Sequence, residues 1–153
     1  MSSSSTDRIQ KQVILKASRK RVWQALTDTT EFGEWFRVAL SDNFAQGARA
    51  TGNVLHPGYE HLKFDVTVER MEPERVFAWR WIPNAVDASR DYSREPTTLV
   101  VFELEDAPGG GTLLKVTESG FDQVPPDRRE KAYRGNDEGW GIQLTNVQKY
   151  VGG

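Results

Sequence analysis

Near the C-terminal end of the chain, Trp140, Leu144, Val147 and Val151 are spaced four, three and four residues apart, and Tyr133 lies seven residues before Trp140. That spacing places all five on one stripe of a helix. The residues before this helix read mostly as strands. A helix with one apolar stripe and a sheet with one apolar face must cover each other, since neither is stable alone in water. A curved sheet wrapped around a single helix encloses space. In a chain without a familiar catalytic motif, that space is the main functional clue.

The body supplies the sheet. Arg8 to Lys16 reads as a first strand. Ser18 can cap a helix running to about Asp28, with Val22, Ala25 and Leu26 on its apolar face. A second short helix over Thr30 to Phe36 would bury Phe32, Trp35 and Phe36. Strands are expected near Val38–Phe44 and Arg49–His56. Two clearer ones follow. His61–Arg70 carries Leu62, Phe64, Val66 and Val68 at alternate positions, and Arg75–Ile82 carries Phe77, Trp79 and Trp81 on one face by the period of two. Glu72-Pro73-Glu74 makes the turn between them. Asn84 to Glu95 is polar and reads as a loop. Thr97–Glu105 and Thr112–Ser119 form a hairpin across Asp106–Gly111. The expected class is α+β, with about six or seven antiparallel strands, two short helices after the first strand, and the long helix last. Residues 1–7 read as a disordered tail and 8–153 as one domain.

Composition narrows the function. The chain has 153 residues, with 20 basic and 22 acidic side chains, so no surplus of positive charge points to nucleic acid or an anionic membrane. Cysteine is absent, which removes disulfides, thiolate metal sites and Cys nucleophiles and fits a cytoplasmic location. No apolar run is long enough to span a bilayer. Five tryptophans are many for this length.

Several features invite a functional reading and also a plain one. His56 and His61 are the only histidines, and they flank a Pro57-Gly58 turn rather than one helix face, so two exposed hairpin residues fit better than a metal site. Gly109-Gly110-Gly111 lacks the Lys-Ser/Thr and the helix that a phosphate loop requires, and reads as a hairpin loop. Arg19-Lys20-Arg21 and Arg128-Arg129 read as solvated faces. Asp65, Glu69 and Glu103 fall on the outward parity of their strands. Glu118 is different. It shares its parity with Leu114 and Val116 and should face the concave side, where it could orient a polar ligand or transfer a proton. Its plain alternative is a rim residue paired with an arginine.

Gly139 and Gly141 flank Trp140, and Gly135 lies just before, each interior glycine costing the helix about 1 kcal/mol relative to Ala. Either small residues let the helix approach the sheet, or the helix is weak there and opens to admit a ligand. The aromatic set, likewise, either fills the core or lines a pocket.

Four segments taken in order, VILKASRKRVWQALTDTTEFGEWF, TTLVVFELED, GTLLKVTESGF and EGWGIQLTNVQKYV, resemble the START-like SRPBCC superfamily, in the branch of heat-shock protein 90 ATPase activator homologues. The similarity runs from about Ile9 to Val151. It implies a helix-grip fold, with a cavity between sheet and C-terminal helix in many members, and functions from lipid binding through polyketide cyclisation to co-chaperone activity. The eukaryotic activators carry a further N-terminal domain that nothing here resembles, which makes chaperone activation the weaker expectation.

The resulting expectation is a protein that binds a small hydrophobic or amphipathic ligand. Phe64, Val66, Trp79, Trp81, Phe102, Glu118, Trp140 and Leu144 are the ligand-binding candidates. No catalytic residue, cofactor or metal is assigned. The alternatives are an activator of heat-shock protein 90 ATPase and a cyclase- or hydratase-type enzyme using Glu118. Neither nucleic acid nor membrane is an expected partner, and monomer and homodimer are both open, since a free strand edge allows pairing.

Overall fold

The computed structural model describes residues 7–83, 91, 92 and 94–152. Strand β1 is Arg8–Leu15. Ser18 caps helix α1 (Arg19–Thr27) by accepting from the Arg21 backbone N–H, and Asp28 caps helix α2 (Thr29–Phe36) through Glu31 in the same way. Each cap satisfies one of the donors that a helix start leaves open. Arg37 then takes a left-handed backbone, φ 68°, which turns the chain at once into β2 (Val38–Leu40).

β2 stops four residues short of the expected Phe44 because Phe44 has another task. The chain bends after Leu40 so that this ring enters the core, edge-on to Phe32 at 5.3 Å and to Phe77 at 5.1 Å. The remaining strands are β3 (Arg49–Val54), β4 (Lys63–Glu72), β5 (Val76–Trp81), β6 (Thr98–Asp106) and β7 (Thr112–Ser119). Helix α3, Arg129–Tyr150, closes the fold. The seven strands form one antiparallel sheet in the order β1-β7-β6-β5-β4-β3-β2, the architecture of a helix-grip fold. A register shift between Val68 and Arg70 bulges β4 and bends the sheet there. Of the polar loop expected over residues 84–95, positions 84–90 and 93 lie outside the described residues, as do residues 1–6 of the expected tail.

The turn 55–62 leaves both His56 and His61 exposed, and no group of metal-capable side chains forms among the described residues. Pro108–Gly110 is a single tight turn between β6 and β7, with no helix behind it. No described helix is long and apolar enough to cross a membrane.

The concave face and α3 meet as the two periodicities require. Val66, Val68, Trp79, Val100, Phe102, Leu114 and Val116 from the sheet and Ala132, Trp140, Leu144 and Val147 from α3 are buried. Both ends of α3 are pinned by polar groups. At its end, Tyr150 Oη–H donates to Glu31 Oε1 at 3.1 Å, and Arg21 Nη1 donates to the same oxygen at 2.6 Å. Burial raises the Tyr150 hydroxyl above its ordinary pKa, and the Glu31 carboxylate adds to the rise. At its start, Arg128 is not solvated as its sequence context suggests. It is only 8% exposed, gives Nε–H to Glu95 at 2.7 Å and Nη1–H to the Pro83 carbonyl at 2.7 Å, and lies over the Tyr92 ring. Contacts of this kind are invisible in a local charge pattern, since Glu95 and Pro83 are 33 and 45 residues away.

The α3 glycines do not serve close packing. A Cβ added at Gly139 or Gly141 would meet nothing within 4 Å, and Gly135 is exposed. The packing explanation for these residues is therefore overturned, and their helix cost stands without a compensating contact. Gly141→Ala should stabilise the protein by about 1 kcal/mol, or roughly 2–4 °C in Tm. Thermal unfolding measures this directly. A loss of stability would mean that residue 141 is not in a regular helix.

Candidate functional site

The site is built across three neighbouring strands and capped by α3. Trp81, the last residue of β5, pairs with Thr98, the first of β6, and Val100 pairs with Glu118 on β7. With alternate residues pointing the same way, Trp81, Thr98 and Glu118 converge on the concave side at one end of the sheet. From above, Asn136 and Trp140 are four apart on α3 and so occupy the same helix face.

Glu118 is at the centre and is 0% exposed. Its Oε2 accepts from Trp81 Nε1–H at 2.8 Å and from the Thr98 hydroxyl at 2.6 Å. Its Oε1 accepts from Trp140 Nε1–H at 2.8 Å. The Asn136 side-chain amide donates to both oxygens, at 2.9 and 3.1 Å. Indole nitrogens can only donate, and a carboxylate anion can only accept, so the donor set matches the ionised group. No described cation pairs with Glu118: the ion pairs among the described residues lie elsewhere. The expected alternative, a rim carboxylate paired with an arginine, is not what the chain forms.

The space expected between sheet and helix is occupied by rings. Trp140 sits 5.6 Å from Phe102, 6.3 Å from Trp79 and 5.9 Å from Trp81. Phe64 packs on Trp79 and Trp81 at 6.0 Å each. Phe64, Val66, Trp79, Phe102 and Leu144 are core residues in this arrangement. Trp79 keeps one irregularity, because its buried indole N–H has no hydrogen-bond partner. What stays open near Glu118 is a recess of about 100 Å3 lined by Phe36, Trp81, Asn136, Gly139, Trp140 and Gln143. Trp81 and Trp140 thus touch both the recess and the buried carboxylate, while Phe36 completes a triangle of rings at 6.4 and 6.3 Å from them.

Of the candidates read from the sequence, Trp81, Glu118 and Trp140 come together here. Four contributors were missed: Phe36, Thr98, Asn136 and Gln143. Two carried a readable signal. Thr98 shares the inward parity of Val100 and Phe102, and Asn136 is one helical turn from Trp140. Their polarity argued for solvent only because their common partner, Glu118, was not yet placed.

A family model described as "Activator of Hsp90 ATPase homolog 1-like protein" matches residues 16–152. The chain belongs to this family. Among solved structures, protein MLL2253 from Mesorhizobium loti is 22% identical, with a TM-score of 0.73 over 94% of this chain and 96% of that one. The Aha1 dimer from Colwellia psychrerythraea is 19% identical, with a TM-score of 0.70 over 94% and 95%. DynU16, from the dynemicin biosynthetic locus, is 22% identical, with a TM-score of 0.73 over 95% of this chain and 47% of that one. At these identities the likeness concerns the fold. No curated protein sequence matches the chain.

Proposed function

We propose that this family member binds a small amphipathic molecule at the recess beside Glu118, under the middle of α3. One observation carries the reading: two tryptophans border the recess and both give their N–H groups to one fully buried carboxylate. A buried charge is costly to a fold, and an apolar residue at position 118 would avoid that cost. A charged residue placed there, beside an aromatic recess, fits recognition better than packing. The glycines of α3 add to this, since a helix held at both ends and weak in its middle can part from the sheet and enlarge a recess that is small at rest. Phe64, Trp79, Phe102 and Leu144 would then become the deeper wall, with Val66 behind them. The occurrence of one structural relative in a biosynthetic locus is consistent with small-molecule work.

An enzyme using Glu118 as a base is disfavoured by the same geometry. A general base needs an open lone pair near its substrate, and the protein's own donors already engage both oxygens. The family description favours a second reading, stimulation of the Hsp90 ATPase; the Colwellia relative is a dimer, and a dimer of this chain is part of that second reading.

Native mass spectrometry of freshly purified protein tests the first reading. The expected result is a fraction of molecules carrying a non-covalent adduct that is lost on denaturation. Protein that is always at its bare mass, and that no member of a lipid, sterol and polyketide panel stabilises in thermal unfolding, would sink it. A rise in Hsp90 ATPase rate with bare protein would put the second reading in its place.

A further inference from the structure

Resting on the ligand-binding reading above, we infer that the group held in the recess is a small organic cation, a protonated amine or quaternary ammonium. The recess offers a cation what it needs and offers an anion nothing. Each side-chain nitrogen on its border is already engaged: Trp81 Nε1, Trp140 Nε1 and Asn136 Nδ2 donate to Glu118, and Gln143 Nε2 donates to the Phe36 carbonyl at 3.4 Å. Among the described residues no lysine, arginine or histidine lines it. What remains are three aromatic rings and the Asn136 amide oxygen, which must point away from Glu118 because the amide nitrogen faces it.

The carboxylate makes those rings better partners for positive charge. An indole whose N–H is given to an anion gains electron density over its ring, and cations are drawn to the faces of Trp, Tyr and Phe. Among the described residues Glu118 has no counter-cation, and the donors around it there are all neutral. In a low-dielectric interior such a charge acts through the ring layer on whatever occupies the recess. The size agrees: about 100 Å3 suits a headgroup rather than a whole lipid or polyketide.

The test is a charge series on the intact wild-type protein, read at the indole N–H signals in proton–nitrogen NMR. The five tryptophans give one signal each, and Trp81→Phe and Trp140→Phe assign the two that matter. The probes are tetramethylammonium, choline, the neutral isostere of choline with carbon in place of nitrogen, and pivalate. The cations should shift the Trp81 and Trp140 signals saturably, with choline at least about tenfold tighter than its neutral isostere, a difference of about 1.4 kcal/mol. Pivalate should leave both signals in place. Glu118→Gln, where it folds, should bring choline and its isostere to equal affinity; where it does not fold, the wild-type series decides alone. Equal binding of choline and its isostere, binding of pivalate, or no shift with any probe would each overturn the cation. In the first two cases the recess still binds ligands, and the broader reading survives; after the third, that reading is judged by the mass-spectrometric adduct.

Discussion

Glu118→Leu should unfold roughly 10 °C below the wild type, a loss of about 3–5 kcal/mol, with Glu118→Gln between the two. Two effects compete. Removing a buried charge returns its desolvation cost, and buried ionic groups replaced by apolar ones of similar volume are often neutral or stabilising. That outcome requires the partners to be replaced as well. Here four donors stay behind: two indole N–H groups, a hydroxyl and an amide. Thr98 and Asn136 can rotate toward other acceptors. Trp140 cannot, because its ring is buried against Phe102 and Trp79. Trp81 is only half-buried and can reach water through the recess. Each donor left without an acceptor costs about 1–3 kcal/mol, so the orphaned donors outweigh the relief. Gln keeps one oxygen and the volume but turns an NH2 toward other donors, which places it in the middle. Chemical denaturation of both variants measures the order. A Leu variant as stable as the wild type would mean that water already serves these donors, and the closed geometry around Glu118 would be wrong.

The network also shows how far the sequence could be read. Strand parity is enough to turn Glu118 inward, because Leu114 and Val116 leave only one face for it. Helical spacing is enough to bring Trp140 above it. These are local rules with fixed periods, and they gave the sheet, the three helices and the direction of each candidate side chain. They do not give pairing across strands. That Thr98 stands beside Trp81, and that both meet Glu118, follows from the β5–β6–β7 register, which depends on turn lengths and the whole sheet. Nor does periodicity say whether rings fill a space or surround it. Parity turns Trp79, Phe102 and Phe64 inward as a set, yet their tiling with Phe32, Phe36 and Trp140 depends on rotamers, and it fills most of the space and leaves a small recess. The α3 glycines mislead for a similar reason: a glycine next to a core tryptophan suggests close approach, but a Cβ at either flanking position meets open space, and Gly139 borders the recess.

Arg128→Met should destabilise the protein by about 3–5 kcal/mol, and adding Glu95→Gln should recover a large part of that loss. The side chains of Arg128 and Glu95 are only 8% and 10% exposed, so neither charge keeps a full hydration shell. Removing the cation takes from the buried Glu95 carboxylate its partner at 2.7 Å, and the Pro83 carbonyl loses its donor. The stacking of the guanidinium on Tyr92, at 4.9 Å, goes as well. Met matches the length of the stem but supplies no donor. One term works the other way: Arg128 Nη2 is buried without a hydrogen-bond partner, so the wild type already carries an unsatisfied donor, and its removal trims the loss. The loss still dominates, because weakening the pairing of a buried carboxylate costs more than one unsatisfied N–H. In the double variant the carboxylate is gone, and the remaining deficit reports the Pro83 and Tyr92 contacts. The position of the pair gives the measurement a second use. Arg128 precedes α3 by one residue and ties it to the segment that links β5 to β6. If α3 is fixed there and yields in the middle, amide exchange in Arg128→Met should quicken first over the opening turns of α3 and near residues 91–95, before the strands β6 and β7 respond. Exchange that quickens everywhere at once would instead make the pair a support of the whole core. In that event the two ends of α3 would not be separate anchors, and the proposed parting of the helix at Gly139 would lose its mechanical basis.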